Sequence, residues 1–389
     1  MAPAIVFYIS GHGFGHASRC IEVINAVLAT RPETRIGVRT SAPRWLFDLT
    51  VKGKVTYSTL ECDTGVVQID ALTLDEADSI RRASSFHSDL VTRAASETRV
   101  LRELGAGLIV GDIPPLAFAV GGSAGIPSIA LGNFTWDWVY ADYPRVRLAP
   151  SLLPTIRGAY AKASMALRLP MSAGFDSFTN VRDIPFIARH AAKTREEVVK
   201  ILKLPHEKPI VLASFGGYGL PGLDSDLLSK FKKYTVVTTA TIPISRARKD
   251  TPLVERKGTF FSINEEAMYD AGVRYEDLVA AAEVLVTKPG YGILSEAIAN
   301  DTAVLYTSRG HFPEYDILVE EMPKYVRSAF ISHDDLFAGK WEPHIDKLRA
   351  QPKIKKKPET NGADVAAEIL LKALDKPPKK PRGRPKAKV

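Results

Sequence analysis

Two histidines alternate with glycines close to the start of the chain. Residues 5–19 read IVFYISGHGFGHASR, an apolar run followed by a glycine-rich stretch with His12 and His16 and then by a helical pattern. A buried strand that leads through a glycine turn into a helix is typical of nucleotide-handling α/β domains, because glycine lets the backbone approach a ligand and a helix N-terminus attracts anions. Imidazole suits proton transfer near neutral pH. We interpret His16, at the helix start, as a base for an acceptor hydroxyl, and His12 as a second base or as a residue that orients the loop.

The spacing of these glycines differs from the dinucleotide fingerprint. In G-x-G-x-x-G the third glycine would stand where this chain has His16. A dinucleotide site also needs an acidic residue at the end of the second strand, but residues 35–42 read RIGVRTSA. No Gly-Lys-Ser/Thr follows the turn. The sequence therefore argues against NAD binding and against a P-loop.

A second glycine turn, at residues 288–296 in the other half of the chain, reads KPGYGILSE and follows an apolar run. Its backbone N–H groups can bind a diphosphate, Lys288 can neutralise a phosphate, and Glu296 can accept two hydrogen bonds from a ribose diol. The alternative is a tight strand–helix turn with a solvated glutamate, but the matching turn in the first half favours a binding site. Glu314, beyond the next strand, can bind sugar hydroxyls or can simply stand at a helix N-terminus.

Polar and aromatic residues also follow strand-like runs in the first half of the chain. Asp112, Asn133 and Trp136 stand at such strand ends, where they would suit a sugar-like acceptor. The alternative for the tryptophan is hydrophobic packing. Together with Gly13 and Gly15 of the first turn, these residues form the predicted acceptor side.

Strand-like and helix-like segments alternate along two stretches of the chain, which an irregular segment near residues 165–190 separates. Such alternation predicts parallel sheets with right-handed crossovers. We predict an α/β protein of two doubly wound, Rossmann-like domains, residues 1–180 on the acceptor side and residues 181–375 on the nucleotide side. Ligands bind beyond the carboxyl ends of the strands in such sheets, so the two domains would face each other across a cleft.

The composition is that of a globular protein, with 389 residues of which 45% are apolar and 25% charged. The apolar runs are too short to span a membrane, and the N-terminus has neither the basic region nor the cleavage site of a secretory signal. Two cysteines in so long a chain suit a reducing compartment. We therefore expect a cytoplasmic protein, and we find no Cys/His or Asp spacing that predicts a metal site.

The basic character of the chain comes from its C-terminal end. Residues 376–389 hold seven basic and no acidic residues, which leaves a net charge of +1 for the rest of a chain whose total is +8. This proline-rich segment should be disordered. Its PRGRP stretch, residues 381–385, matches the core of the AT-hook, whose arginines lie in the A·T minor groove. Five residues of low complexity favour weak, salt-sensitive contact with polyanions over specific DNA recognition.

Six motifs together resemble the glycosyltransferase-like domain that precedes the sugar kinase in plant L-arabinokinase. They are GHGFGHASR (residues 11–19), VQIDALT (67–73), GDIP (111–114), NFTWD (133–137), SFGG (214–217) and KPGYGILSE (288–296). They span roughly residues 4–330 in the same order. The chain is more distantly similar to the N-acetylglucosaminyltransferase of peptidoglycan synthesis, a GT-B enzyme related to glycosyltransferase family 28.

The resemblance implies a GT-B fold, a nucleotide-sugar donor (UDP-sugar being favoured) that binds mainly to the C-terminal half, and no need for a metal or cofactor. By motif, Glu296 would bind the ribose diol, and His16 falls at the histidine of the distant enzyme's glycine loop. Glu314 and Tyr315 stand where that enzyme has paired amides on the donor sugar, which leaves the identity of the donor open. Kinase activity is not implied. The predicted donor-binding residues are Gly216, Gly217, Lys288, Gly290, Tyr291, Gly292, Ser295, Glu296, Glu314 and Tyr315.

Three functions follow as hypotheses. The first is a glycosyltransferase that moves a sugar from a UDP-sugar to an unidentified acceptor hydroxyl without a metal. The second is a nucleotide-sugar epimerase or hydrolase on the same fold, which would convert a UDP-sugar without an acceptor. The third is a non-catalytic nucleotide-sugar sensor whose basic tail contacts a polyanion, and whose function a His16→Ala substitution would leave unchanged.

Overall fold

The structure is a computed structural model that describes residues 2–216, 220, 222–240 and 252–375. Gly217 and the basic tail, residues 376–389, lie outside the described residues. The strands, in chain order, are β1 (Ala4–Ile9), β2 (Arg35–Thr40), β3 (Thr56–Thr59), β4 (Val67–Gln68), β5 (Leu74–Asp75), β6 (Ala106–Asp112), β7 (Ser128–Gly132), β8 (Met165–Arg168), β9 (Val181–Asp183), β10 (Ile210–Ser214), β11 (Thr235–Ala240), β12 (Val254–Lys257), β13 (Phe260–Asn264), β14 (Val284–Thr287), β15 (Ala303–Tyr306) and β16 (Ser328–Phe330).

The α-helices cover both faces of the sheets, which is why the central strands are apolar throughout. In chain order they are α1 (Gly15–Thr30), α2 (Arg44–Thr50), α3 (Glu76–Ser88), α4 (Leu90–Leu104), α5 (Pro115–Ala124), α6 (Trp136–Ala141), α7 (Leu152–Tyr160), α8 (Arg195–Ile201), α9 (Ser225–Leu228), α10 (Glu265–Asp270), α11 (Tyr275–Ala281), α12 (Tyr291–Ala299), α13 (Glu314–Glu321), α14 (His333–Phe337), α15 (Glu342–Arg349) and α16 (Gly362–Leu374).

Two seven-stranded sheets organise these elements, which confirms the predicted α/β architecture. The first sheet is parallel, in the order β3-β2-β1-β6-β7-β8-β9, and forms the first lobe. The second sheet, in the order β12-β13-β11-β10-β14-β15-β16, forms the second lobe and is parallel apart from β12. In each sheet the strand order reverses beside the first strand, β1 or β10. Such switch points open a crevice at the carboxyl ends of the strands.

The layout of the sheets differs from the predicted division at residue 180 in two respects. Strand β9, at residues 181–183, pairs with β8 and so completes the first sheet. Helix α16, near the C-terminal end of the described chain, packs on α1 of the first lobe, and Arg31 there pairs with Asp375 at 2.8 Å. The chain therefore crosses between the lobes twice, and one hydrophobic cluster continues from the first sheet through both helices into the second lobe.

A small hairpin, β4 and β5, extends from the first lobe to the second. It holds the VQIDALT motif, residues 67–73. The Gly310 N–H donates to the Leu72 carbonyl across 2.5 Å, and Ala71 packs into the hydrophobic cluster of the second sheet. This contact, which the sequence analysis did not predict, closes one side of the space between the lobes.

Candidate active site

A cleft of about 310 Å³ lies between the two lobes, and its lining includes the turns that follow β1, β10 and β14. The volume falls within the range of small-molecule pockets. Glu296 and His16 both line it. The predicted residues in its lining are His12, Gly13, Gly15, His16, Asn133, Trp136, Gly216, Lys288, Gly290, Tyr291, Gly292, Glu296 and Glu314.

The N-termini of α1 and α12 meet in this cleft. A Cβ atom added to Gly292 would lie 3.0 Å from the Cα atom of Gly15, so a glycine at position 292 lets the two backbones touch. Neither helix has an acidic residue in its first turn. Two positive helix ends, one from each lobe, therefore lie side by side, which suits an anionic ligand.

His16 lies in a buried network with Asp112 and Arg19. Its Nδ1 atom is 2.8 Å from Asp112 Oδ1 and 3.0 Å from Arg19 Nη2. Arg19 donates to both Asp112 oxygens, through Nε and Nη2, at 2.5 Å each. Burial raises the pKa of Asp112, but the charge and hydrogen bonds of Arg19, with those of His16, outweigh burial and hold it at about 2. The carboxylate is thus fully ionised, and a guanidinium compensates its charge.

The same network continues across the cleft into the second lobe. Arg19 Nη1 donates to Asn133 Oδ1 at 2.7 Å, and Asn133 Nδ2 donates to Glu314 Oε1 at 2.7 Å. The Arg19 guanidinium also lies 5.5 Å from the ring centre of Tyr291, at the start of α12. Glu314, predicted to bind sugar hydroxyls, therefore already has an amide partner, which leaves its other oxygen for a ligand.

His12 has a different carboxylate partner. Its Nε2 atom lies 3.3 Å from Asp63 Oδ1 and 3.4 Å from the Asp63 carbonyl oxygen. Ser10 Oγ and Trp136 Nε1 donate to the same carboxylate at 3.0 and 2.7 Å. Burial lowers the pKa of His12, but the hydrogen bond and charge of Asp63 outweigh burial and raise it above its usual value. Trp136 is almost fully buried, and its hydrogen bond helps to orient Asp63.

Glu296 has a buried partner that the sequence did not reveal. Arg189, from the segment that crosses between the lobes, donates through Nε to Glu296 Oε1 at 2.7 Å and also lies 3.3 Å from Glu276. Burial raises the pKa of Glu296, and the charge of Arg189 offsets part of this effect. The carboxylate that was predicted to bind a ribose diol is therefore held in place by a guanidinium.

Two cations of the second lobe line the cleft without an ion-pair partner among the described residues. Lys288 Nζ lies 3.5 Å from Gln68 Oε1 of the hairpin. Burial, together with the charge of Arg309, lowers the pKa of Lys288 to about 8. Arg309 donates through Nη1 to the Pro289 carbonyl at 3.1 Å, its Nε is buried without a partner in the described chain, and burial lowers its pKa. Such a pair of cations suits an anion.

Three predicted residues do not line the cleft. Asp112 is buried outside the lining, and its contacts with the cleft run through His16 and Arg19. Ser295 is buried within α12, where its hydroxyl donates to the Gly292 carbonyl at 2.9 Å. Tyr315 follows Glu314 on α13, and one residue is about 100° of helix rotation, so its side chain points elsewhere. A direct ligand contact by Ser295 or Tyr315 is therefore not supported by this arrangement.

The charged residues Arg19, Asp63, Arg189 and Arg309 belong to the site and were absent from the predicted set. Arg19 could have been found, because it lies one helical turn after His16 within the GHGFGHASR string. Asp63 and Arg189 are distant in sequence from the site residues that they contact, and only the folded chain brings these two and Arg309 to the site. No helix of the described chain is both long enough and apolar enough to cross a membrane. In the same residues, no group of three or more His, Cys, Asp or Glu side chains could hold a metal ion.

Comparison with known proteins finds a relative in sequence and many in fold. No protein-family model matches the chain. L-arabinokinase of Arabidopsis thaliana is 29% identical over 378 residues, which are 94% of this chain but only 34% of that protein. The chain thus spans about a third of the length of this relative. The resemblance to L-arabinokinase predicted from the motifs is confirmed.

Solved structures match nearly the whole chain at low identity. A glycotransferase of kitacinnamycin superposes with a TM-score of 0.58 at 15% identity, covering 96% of this chain and 98% of its own. The fold is GT-B. A Polygonum tinctorium UDP-glucosyltransferase gives a TM-score of 0.58 at 13% identity, covering 97% and 99%. Arabidopsis thaliana UGT89C1 complexed with UDP gives 0.56 at 14% identity, covering 96% and 100%. In this GT-B chain the cleft between the lobes is the candidate active site.

Proposed function

We propose that this GT-B protein is a glycosyltransferase that moves a sugar from a nucleotide-sugar donor, in the first instance a UDP-sugar, to an acceptor hydroxyl. The observation that carries the proposal is the cleft in which two imidazoles of the first lobe share a space with a helix N-terminus and two cations of the second. The GT-B fold and the UDP complex of a structural neighbour support this donor class.

The second lobe would hold the donor. The N-terminus of α12, at Gly290 to Gly292, offers backbone N–H groups to the diphosphate, and Lys288 and Arg309 neutralise its charge. Glu296, oriented by Arg189, accepts hydrogen bonds from the ribose hydroxyls. The lowered pKa values of Lys288 and Arg309 reflect burial that nearby carboxylates such as Asp70 and Glu314 do not offset. A bound diphosphate would supply an anion in contact with these two cations.

The first lobe would hold the acceptor. Phe134 lies between His16 and Trp136, with ring centres 5.7 and 5.0 Å away, and Phe312 of the second lobe lies 5.7 Å from Phe134. Such an aromatic surface suits the apolar face of a sugar or an aromatic alcohol. Glu314, fixed by Asn133, is placed to accept a hydroxyl hydrogen bond at the junction between donor and acceptor.

The transfer would proceed by attack of the acceptor oxygen on the anomeric carbon. A bond forms between these atoms while the bond from the anomeric carbon to the β-phosphate oxygen breaks. The acceptor proton passes to an imidazole of the glycine turn, and the electron pair of the broken bond remains on the diphosphate. Two helix ends, Lys288 and Arg309 stabilise that charge electrostatically. Since these cations can neutralise the leaving group, we propose that the reaction needs no metal, and that chelation by EDTA leaves the rate unchanged.

Calorimetric titration with UDP, UDP-glucose, UDP-galactose and UDP-N-acetylglucosamine tests the donor assignment. UDP-L-arabinose joins the panel because the relative is named L-arabinokinase. We expect binding of UDP and at least one UDP-sugar. Glu296→Gln should weaken UDP binding by roughly tenfold, because a hydrogen bond to a charged group contributes about 1.5–3 kcal/mol. Donors that bind are then assayed for UDP release with sugar and aromatic alcohols as acceptors.

The matched control for this titration is Glu320→Gln, which removes an exposed carboxylate from α13 of the same lobe. It should leave UDP affinity unchanged. The proposal is wrong if neither UDP nor any UDP-sugar binds, or if the Glu296 and Glu320 variants bind UDP equally well. Conversion of the donor to another sugar without an acceptor would instead support an epimerase.

A further inference from the structure

The cleft contains two histidine–aspartate pairs whose charges differ. In the first pair, the Asp112 carboxylate receives two hydrogen bonds from Arg19 as well as the contact from His16. The guanidinium thus compensates the charge of this carboxylate within the network. Arg19 Nη2 also lies 3.0 Å from the same imidazole nitrogen. His16 Nδ1 therefore has a cation as well as a carboxylate beside it.

In the second pair, no arginine or lysine contacts the carboxylate within the part of the chain that the structure describes. Asp63 is buried, and its other side-chain partners, Ser10 and Trp136, are neutral donors. His12 is the cation-forming group in contact with this carboxylate among the described residues. The charge of Asp63 can therefore stabilise a positive charge on the His12 ring.

The tautomer of His12 is also better defined than that of His16. His12 Nε2 faces the Asp63 carboxylate and the Asp63 carbonyl, which both accept hydrogen bonds. Nε2 must therefore carry the proton, and Nδ1 keeps the lone pair that a base needs. His16 Nδ1 faces a carboxylate that only accepts and a guanidinium that only donates. His16 Nδ1 can hydrogen-bond with only one of these two groups at a time, because it either carries a proton or accepts one.

The position of the His12 ring depends on a glycine in the Asp63 loop. A Cβ atom on Gly65 would lie 2.2 Å from His12 Cδ2, and Gly65 has a φ of +51°. Both facts favour glycine at this position. The His12 ring lies roughly perpendicular to the Trp136 ring, at 6.2 Å between ring centres, and 31% of its side chain stays exposed in the cleft. His12 is therefore fixed in position and open to a ligand.

We propose that His12, polarised by Asp63, is the catalytic residue that takes the acceptor proton, and that His16 is a positioning residue within the Arg19 network that joins the lobes. This inference rests on the proposed transferase function. In the step, the acceptor O–H bond breaks and its proton moves to His12 Nδ1. The electron pair forms the new bond to the anomeric carbon, and the diphosphate leaves with the pair of the broken glycosidic bond.

The raised pKa of His12 agrees with this role, because a base works best when its pKa lies near the working pH. The titratable groups that face His12 are Asp63 and Glu61 on the loop after β3. His16 follows four residues later on its own segment. The Nε2–Asp63 distances are long for a hydrogen bond, as is common for catalytic contacts before a ligand binds.

The first experiment measures the histidine titrations directly. In protein labelled with ¹³C at histidine Cε1, the His12 signal is assigned by its absence in His12→Gln, and the His16 signal by its absence in His16→Gln. We expect His12 to titrate above about 6.5, the ordinary histidine value, and Asp63→Asn to lower that pKa. If His12 titrates at or below that value, or if Asp63→Asn does not move it, Asp63 does not polarise His12 and the inference is wrong.

The second experiment compares kcat, KM and their pH profiles for UDP release from the donors that bind. Since kcat requires the neutral base, the wild-type rate should fall as pH drops through the His12 pKa. His12→Gln should lower kcat by about 10²–10⁴-fold with little change in KM, and should remove this acidic limb. His16→Gln should keep the limb. His12→Asn serves as a second variant, and circular dichroism checks that each variant is folded.

The outcomes separate the two proposals. If wild-type protein releases no UDP from any donor that binds, the transferase function fails, and with it a catalytic role for either histidine. If the wild type is active but the acidic limb disappears in His16→Gln and persists in His12→Gln, the function stands and this inference is overturned. Asp63→Asn should shift the limb to lower pH without removing it.

Discussion

The glycine turn after β1 and the glycine turn after β14 share a backbone architecture and differ in their side chains. Each joins a buried strand to a helix whose first turn lacks acidic residues, and the two turns touch at Gly15 and Gly292. The first turn carries two imidazoles, each beside a buried carboxylate. The second carries Lys288 and lies beside Arg309, neither with a carboxylate partner among the described residues.

This difference separates two kinds of chemistry within one cleft. Carboxylates in the first lobe hold imidazoles in defined orientations, which suits proton transfer. Unpaired cations in the second lobe suit an anion that arrives with the ligand. Both sets line the same cleft, where the two helix ends are in contact. A donor diphosphate at the second lobe and an acceptor hydroxyl at the first would therefore lie side by side. The predictions below test this division, from the largest expected effect to the smallest.

Arg19→Met should have the largest effect, because it leaves Asp112 buried without its cation. Breaking a buried ion pair by removing one partner costs about 3–5 kcal/mol, so the free energy of unfolding of the first lobe should fall by about that amount. Urea unfolding followed by tryptophan fluorescence measures it. Arg309→Met removes an unpaired cation and should be far less destabilising. If Arg19→Met lowers the free energy of unfolding by less than about 1 kcal/mol, as for a surface ion pair, the contrast between the buried pair and the unpaired cation is wrong. The double variant Arg19→Met/Asp112→Asn should regain part of the lost stability, because it also removes the charge of the carboxylate.

Lys288→Met and Arg309→Met should each weaken UDP binding by at least roughly tenfold, since charge-assisted hydrogen bonds contribute about 1.5–3 kcal/mol. The affinity for UMP, which lacks the β-phosphate, should fall less in these variants than the affinity for UDP. Isothermal titration of both nucleotides measures the difference. Lys340→Met removes an exposed lysine from the same lobe and is the matched control. An equal loss for UMP and UDP would mean that the cations do not face the β-phosphate.

The affinity for UDP should also fall as pH rises between about 7 and 9. Lys288 has a pKa of about 8 in the free protein, so it loses its positive charge in this range, and a neutral amine attracts a diphosphate less than an ammonium does. Titrations at a series of pH values should show a severalfold loss in the wild type. Lys288→Met should show little dependence in the same range. A wild-type affinity that is flat or rises with pH would count against Lys288 as a phosphate ligand.

Gly292→Ala should have the smallest effect. The added Cβ would lie 3.0 Å from Gly15 Cα, and since the neighbouring atom is backbone, the lobes must shift apart by a few tenths of an ångström. We expect a loss of about 1 kcal/mol in unfolding free energy, at the low end for overpacking, and a modest loss of UDP affinity. Gly158→Ala, whose Cβ would meet nothing within 4 Å, is the control. Equal unfolding free energies and equal UDP affinities in the two variants would mean that the two helix N-termini are not in close contact.

Much of the fold was predictable because its signals are local. The apolar run at residues 5–9 became strand Ala4–Ile9, and the run at residues 283–287 became strand Val284–Thr287. Strand–helix alternation also predicted the two parallel sheets. The first-sheet strand at residues 181–183 was assigned to the wrong side of the boundary, because pairing at a sheet edge depends on neighbours rather than on the strand's own sequence.

The site was predictable in part. Both glycine turns could be recognised from residue type and spacing, and their residues line the cleft. The charged partners of the site residues could not be predicted. Arg19 and Asp112 are 93 residues apart, and Arg189 and Glu296 are 107 apart. No local sequence pattern indicates either pairing, so the ion-pair partners around the candidate bases could not be predicted.

By itself, the sequence determined which groups are present and where each turn begins, because glycine, proline and apolar periodicity act on the backbone over a few residues. The tertiary structure alone decided that Arg19 neutralises Asp112, while the side-chain partners of Asp63 within the described chain are His12 and two neutral donors. Electrostatic interactions depend on distance and burial in space. Two similar histidines in one short turn therefore acquire different chemical properties only when the chain has folded.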